Sequence, residues 1–197
     1  MVWCEVLNAA TMLPPPFLLL SHARNPRGFL AFAAIAAQVP FAMLYHLHAA
    51  FCIYYTQDAD EYHRQLDQTA QHVAQLALTY SITGSWPYTL AAAVFHAVAL
   101  KQLWSEATRN DGKRWRMIAV GVGIYVLPML PQSALLFGYA TAPMVAGAVV
   151  GFVPCCKFRG SHAVMHVLAW MHADAVGVFL QDKPISAWIF ENVNPLL

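Results

Sequence analysis

Long apolar runs broken by short polar interruptions organise this chain. The first run covers about 2–20 and is interrupted by Pro14, Pro15 and Pro16, which remove three backbone donors and predict a kinked or broken helix. A polar turn follows at 21–27 (SHARNPR). An uncharged run then extends from Gly28 to Tyr55, enough for one full membrane crossing, with Pro40 near its middle predicting a kink. Gln57 to Arg64 (QDADEYHR) reads as an acidic loop. From Gln65 to Trp104 the apolar character lasts too long for one crossing. The stretch Ser81 to Ser85 (SITGS), followed by Pro87, supplies a turn that divides it into helices at about 66–82 and 86–104. Ser105 to Arg116 is the longest hydrophilic loop. Further helices fall at about 115–136 and 138–155, a turn at Lys157 to Gly160, and a last helix at about 161–181. The pattern predicts an all-α, polytopic membrane protein, a single domain over 1–197 with a bundle of about seven transmembrane helices.

Composition sharpens this picture. Of the 197 residues, 59% are hydrophobic and 11% charged, less than half the charged share of about 25% in soluble domains. A soluble chain of this length must cover a wide surface in polar groups, and lipid removes that demand. A mean hydropathy of +0.48 agrees. The net charge of +1 says nothing about nucleic acid, but no basic tract is present that could follow a phosphate backbone, so no nucleic-acid partner is expected; the partner expected is a membrane lipid. Cys4, Cys52, Cys155 and Cys156 form neither a disulfide framework nor a CxxC pair; Cys155 and Cys156, beside Lys157, read as small buried residues rather than a palmitoylation site. The N-terminus has no basic n-region, so the first apolar run is expected to be retained. Runs of small residues, such as Ala91 to Ala93 and Ala142 to Gly151, favour close helix approach. Plasma membrane and endomembranes are equally compatible with these features.

Nine histidines are the chemistry that composition leaves unexplained. A charged side chain in a bilayer costs roughly 2.5–3.5 kcal/mol on insertion scales, so a polar group there needs a reason. His22 and His63 fall in turns and read as solvated. His96 stands alone in an apolar helix and reads as a hydrogen-bonded packing residue. His162 and His166 lie four residues apart, so both rings project from one helix face and can reach a common ion. His46 and His48 are two apart and point in different directions, so at most one joins them. Asp67 opens the third helix. With seven crossings, late second helix, early third helix and early seventh helix share one side, which predicts convergence of His46, Asp67, His162 and His166. Three neutral imidazoles on zinc leave a fourth position open for water, the catalytic arrangement.

These residues, in this order, resemble the CREST superfamily of seven-helix membrane hydrolases, which includes the alkaline ceramidases, the progestin and adiponectin receptors and the GPI-processing phospholipase A2 proteins of the transmembrane-8 family. That family's Ser-x-x-aromatic-His element is matched by Ala42-Met-Leu-Tyr45-His46 except at its serine. Gln65-Leu66-Asp67 falls where the family places its aspartate, and His162-Ala-Val-Met-His166 matches its third element. Asn8-Ala-Ala-Thr-Met-Leu-Pro14, followed by a helix and a short basic turn, is most similar to the start of the transmembrane-8 proteins. The resemblance implies a metal site of His46, His162 and His166 holding zinc, with Asp67 as the catalytic residue. It also implies a serine beside the metal, and Ala42 stands there instead.

Three function classes follow. The first is zinc-dependent hydrolysis of a lipid acyl ester or amide, with removal of an acyl chain from a GPI-type glycerolipid or cleavage of ceramide as the implied substrates. The second is a non-catalytic receptor or scaffold with a structural zinc, which Ala42 favours. The third is a transporter, proton relay or haem protein, in which His72 or His96 would join a facing set. Eight of the eleven Lys and Arg residues lie on the side of the proposed site, which makes that side cytoplasmic by the positive-inside rule. The GPI-processing resemblance implies the opposite, exoplasmic leaflet.

Overall fold

The computed structural model describes residues 2–51, 57–105, 111–152 and 161–181. Cys52, the Cys155–Cys156 pair and the turn at Lys157 to Gly160 lie outside the described residues. Among those described there is no strand, and eight α-helices follow in order: α1 (Val2–Ala10), α2 (Pro14–His22), α3 (Pro26–Phe51), α4 (Gln57–Thr83), α5 (Trp86–Leu103), α6 (Asp111–Val126), α7 (Ala134–Phe152) and α8 (Ser161–Gln181), with a 3₁₀ turn at Leu127–Met129 before α7.

Proline chemistry places several boundaries. The break expected in the first apolar run falls just before the three prolines, which occupy the first turn of α2 where their missing N–H groups are not needed. Pro40 sits inside α3, which runs on through it. α6 ends at Val126 and α7 starts at Ala134, nearer the N-terminus than the expected 136 and 138. Pro128 has no N–H to donate and disfavours helical geometry at Leu127, so the chain tightens there into the 3₁₀ turn. The turn between α4 and α5 matches expectation. Gly84 takes a φ of 63°, and the Ser85 side chain caps α5 by accepting from the Tyr88 N–H at 3.3 Å.

Two expected loops are helical. Gln57 to Arg64 forms the first two turns of α4, and α6 begins at Asp111 within the expected 105–116 loop. Polar composition there marks helices that run past the apolar zone. Their ends are joined by charge: Glu61 on α4 accepts hydrogen bonds from Arg64 and from Arg114 on α6, and Arg114 is only 1% exposed. Burial pushes the Glu61 carboxyl up, but these two guanidinium hydrogen bonds outweigh it and hold the group below its ordinary value. A carboxylate depressed on folding adds stability that is complete above its unfolded value near ~4.3 and is lost as pH falls through the folded value. Glu61→Gln, which removes the charge that accepts from both guanidinium groups, is therefore expected to cost about 1.5–3 kcal/mol near neutral pH, the usual worth of a hydrogen bond to a charged group. Thermal unfolding in detergent should show the gap to wild type closing as the pH is lowered below that range; a gap independent of pH would refute the ion-pair account.

α3 packs on α4, α1 and α2; α8 packs on α7, α2 and α1; α4 also holds α5 and α6. The interior is divided along its length. Leu78 and Ile82 of α4, Tyr125 and Val126 of α6, and Val176 and Phe179 of α8 form an apolar core at one end. Towards the other end the buried positions turn polar: Gln68, His72, Gln75 and Thr79 follow one another at helical spacing down the inner face of α4. The outside is the reverse. On α5, Leu90, Val94 and Val98 are 64%, 67% and 50% exposed, whereas inward-facing His96 is 2% exposed. Among the described residues, two helices, α3 and α8, are long and apolar enough to cross a membrane.

Candidate metal centre

Three imidazoles meet where the end of α3 faces the start of α8. His46 comes from the last turns of α3, and His162 and His166 from the first two turns of α8. One ligand nitrogen of each lies within 4.8 Å of the others, close enough for all three to reach one metal ion. Ring centroids are 5.0 Å apart for His46–His162, 5.3 Å for His46–His166 and 4.6 Å for His162–His166, all edge-on. His46 and His166 are buried and His162 is half-buried.

The protein has already chosen which nitrogens are free. His166 Nδ1 lies 3.2 Å from the Asn8 carbonyl, which can only accept, so Nδ1 carries the proton. The Thr11 hydroxyl donates to the same carbonyl at 2.7 Å and stands 2.9 Å from Nδ1, where it accepts. His46 Nδ1 lies 2.9 Å from Glu5 Oε2, again an acceptor, and Asn8 Nδ2 donates to that oxygen at 3.2 Å. Both rings therefore leave Nε2 as the nitrogen available to a metal. A carboxylate or carbonyl behind a ligating imidazole fixes its tautomer and raises its basicity, the arrangement found behind many metal-bound histidines. The donor set fits a metal that takes neutral imidazole.

α1 and the turn after it supply this outer layer. Trp170 of α8 ties it down by donating Nε1–H to the Thr11 carbonyl at 2.7 Å. Sequence reasoning placed no role on Glu5, Asn8 or Thr11. A signal was present: Glu5 is the one charged residue in the first apolar run, and an isolated carboxylate in such a run needs a partner. Glu5→Gln is expected to weaken metal affinity about 10–100-fold, read by competition with a chelator. Unchanged affinity would show that Glu5 does not tune His46.

Asp67 is buried at the same end of the bundle but stands outside the ligand cluster. It interacts electrostatically with His46. Its Oδ2 accepts from Gln71 Nε2 at 3.0 Å, and its Oδ1 is buried without a hydrogen-bond partner among the described residues. Ala42, one turn before His46, is 1% exposed, so a small apolar residue fills the position where a serine was expected. His48 turns away from the cluster and stacks on His63 at 4.1 Å, as the two-residue spacing required.

Other histidines differ from expectation. His63 lies in helical α4 and His22 in the last turn of α2, and neither is free in solvent. His22 Nε2 meets Asp174 Oδ1 at 2.9 Å. His96 is hydrogen-bonded, as expected, but its partner is His72, with the two Nδ1 atoms 3.1 Å apart. That direct contact leaves no gap between the rings for a porphyrin, so they do not form an axial haem pair. His172, which sequence reasoning did not single out, bonds Tyr125 Oη at 2.6 Å and the Ala140 carbonyl at 2.8 Å, satisfying both nitrogens. No protein-family profile, curated protein or solved structure matches the chain.

Proposed function

We propose that this chain is a multi-pass membrane protein of about seven crossings, with α1 and α2 together as a broken first one, and that His46, His162 and His166 hold zinc for hydrolysis of a lipid acyl ester or amide. The observation that carries the reading is the converging histidine triad with Nδ1 of His46 and of His166 already committed to acceptors. The reversed polarity, with histidines and glutamines inside and leucines and valines outside, supports lipid as the surrounding solvent. The order of matching elements supports membership of the CREST superfamily, nearest its transmembrane-8 branch.

Zinc in such a site supplies a Lewis acid and lowers the pKa of a water toward ~7. The chain's own residues do the rest. His46 and His166 stay in one tautomer through Glu5 and Asn8. Asp67, with one oxygen uncommitted, accepts the proton of the attacking water and returns it to the leaving oxygen or nitrogen as the acyl bond breaks. The products are a fatty acid and the deacylated lipid. A second reading, a receptor or scaffold with structural zinc, is favoured by one observation: buried Ala42 offers no hydroxyl beside His46.

Protein reconstituted in vesicles containing phosphatidylcholine or ceramide separates the two. The hydrolase reading expects about one zinc per chain and fatty-acid release that stops on chelation. Zinc without release from either lipid would favour the scaffold; no bound zinc would overturn both.

A further inference from the structure

We infer that the apolar groove between α2 and α3 seats one acyl chain of a membrane lipid, with the carboxyl end of that chain at the histidine cluster. The groove has a volume of ≈ 590 Å³, inside the range of about 300–1,000 Å³ for small-molecule sites. Its walls are apolar throughout, including Leu13 and Phe17 on one side and Ala36, Val39, Met43 and Leu47 on the other. A head group or a peptide would meet no hydrogen-bonding side chain along it.

Length and continuity identify the occupant. The lining of α3 runs from Phe32 to Leu47, sixteen residues and so fifteen steps, or about 22 Å at the α-helical rise. One leaflet of a hydrocarbon core of ~30 Å is about 15 Å deep, so a single chain lies along the groove without leaving it. The groove also leads to the site. Val39, Met43 and His46 follow at i, i+4 and i+7, one face of α3, so lining residue Met43 stands one turn from a candidate ligand. On the opposite wall Leu13 is two residues from Thr11, whose hydroxyl contacts His166 at 2.9 Å.

Surrounding lipid is as apolar as this groove, so transfer out of water supplies no drive here. Selection must come from shape along the walls and from the polar end at the histidines. The placement of the carboxyl end rests on the hydrolase reading; the occupancy of the groove does not.

The test uses the full chain in phosphatidylcholine vesicles doped with a phosphatidylcholine carrying a diazirine near the middle of one palmitoyl-length chain. After irradiation and proteolysis, labels are located by mass spectrometry. Labelling of α3 between Ala36 and Leu47 should exceed, several-fold, labelling of the outward face of α5 at Leu90, Val94 and Val98. Ala36→Trp, which fills the groove, should bring α3 down to the α5 level, whereas Ala37→Trp on the exposed neighbouring position should not. Leu13→Trp, at the rim, gives the same reading if Ala36→Trp fails to fold. Equal labelling of α3 and α5 in wild type, or labelling of α3 that survives either groove-filling variant, would overturn the groove. In His162→Ala, groove labelling should persist after zinc is lost. Zinc or release absent with groove labelling intact would defeat the hydrolase reading alone, and even labelling with release intact would defeat the groove alone.

Discussion

His166→Ala is expected to reduce bound metal from about one per chain to a small fraction of that while the helices remain folded. Zinc sites bind through ligand count and geometry, and a structural site is worth roughly 10–16 kcal/mol over four ligands. Removing one imidazole of three therefore discards a large share of the affinity. The variant also abandons an arranged partner, because the Asn8 carbonyl and Thr11 hydroxyl now face a void instead of His166 Nδ1. That loss falls on the outer layer from α1, so the removal of His166 and of Glu5 should be non-additive for metal affinity. Folding should suffer less. The apolar core of Leu78, Ile82, Val126 and Phe179 lies towards the other end of the bundle, and the α1 end keeps its anchor from Trp170. Metal analysis of purified protein, beside circular dichroism, gives the result. Full metal retention in a folded His166→Ala variant would remove His166 from the site.

Why this cluster was readable in sequence, and its outer layer was not, has a physical basis. Helical periodicity links residues on one element, so His162 and His166 could be paired from spacing alone. The two-residue offset of His46 and His48 likewise required that only one could join, and the structure has His46 in the cluster with His48 stacked on His63. Counting crossings brought these elements to one end. Glu5, Asn8 and Thr11 escaped because nothing local ties α1 to α3 or α8; that contact is set by where the proline-led α2 begins. The acidic stretch at 57–64 was misread for a different reason. Apolar periodicity marks only the part of a helix that meets the bundle, and α4 continues beyond it on the strength of Glu61, Arg64 and Arg114. His22 was misread because Asp174, its partner, is 152 residues away in sequence.

Asp67→Asn should leave the metal in place and lower fatty-acid release by about 10²–10⁴, the usual worth of a positioned general base. The substitution keeps volume and keeps an oxygen able to accept from Gln71, so the local packing at 3.0 Å can survive. It removes the charge and the proton affinity, and those are what the mechanism uses. Because Asp67 stands outside the ligand cluster, the zinc reading predicts that metal content does not move. The contrast with His166→Ala is what makes the pair informative: one variant loses metal and rate together, the other loses rate alone. If Asp67→Asn released fatty acid at the wild-type rate, the proton would have to be carried by another group and Asp67 would leave the mechanism. If it lost the metal as well, Asp67 would be acting on His46 through its charge, and its part would be to hold the site together rather than to move a proton.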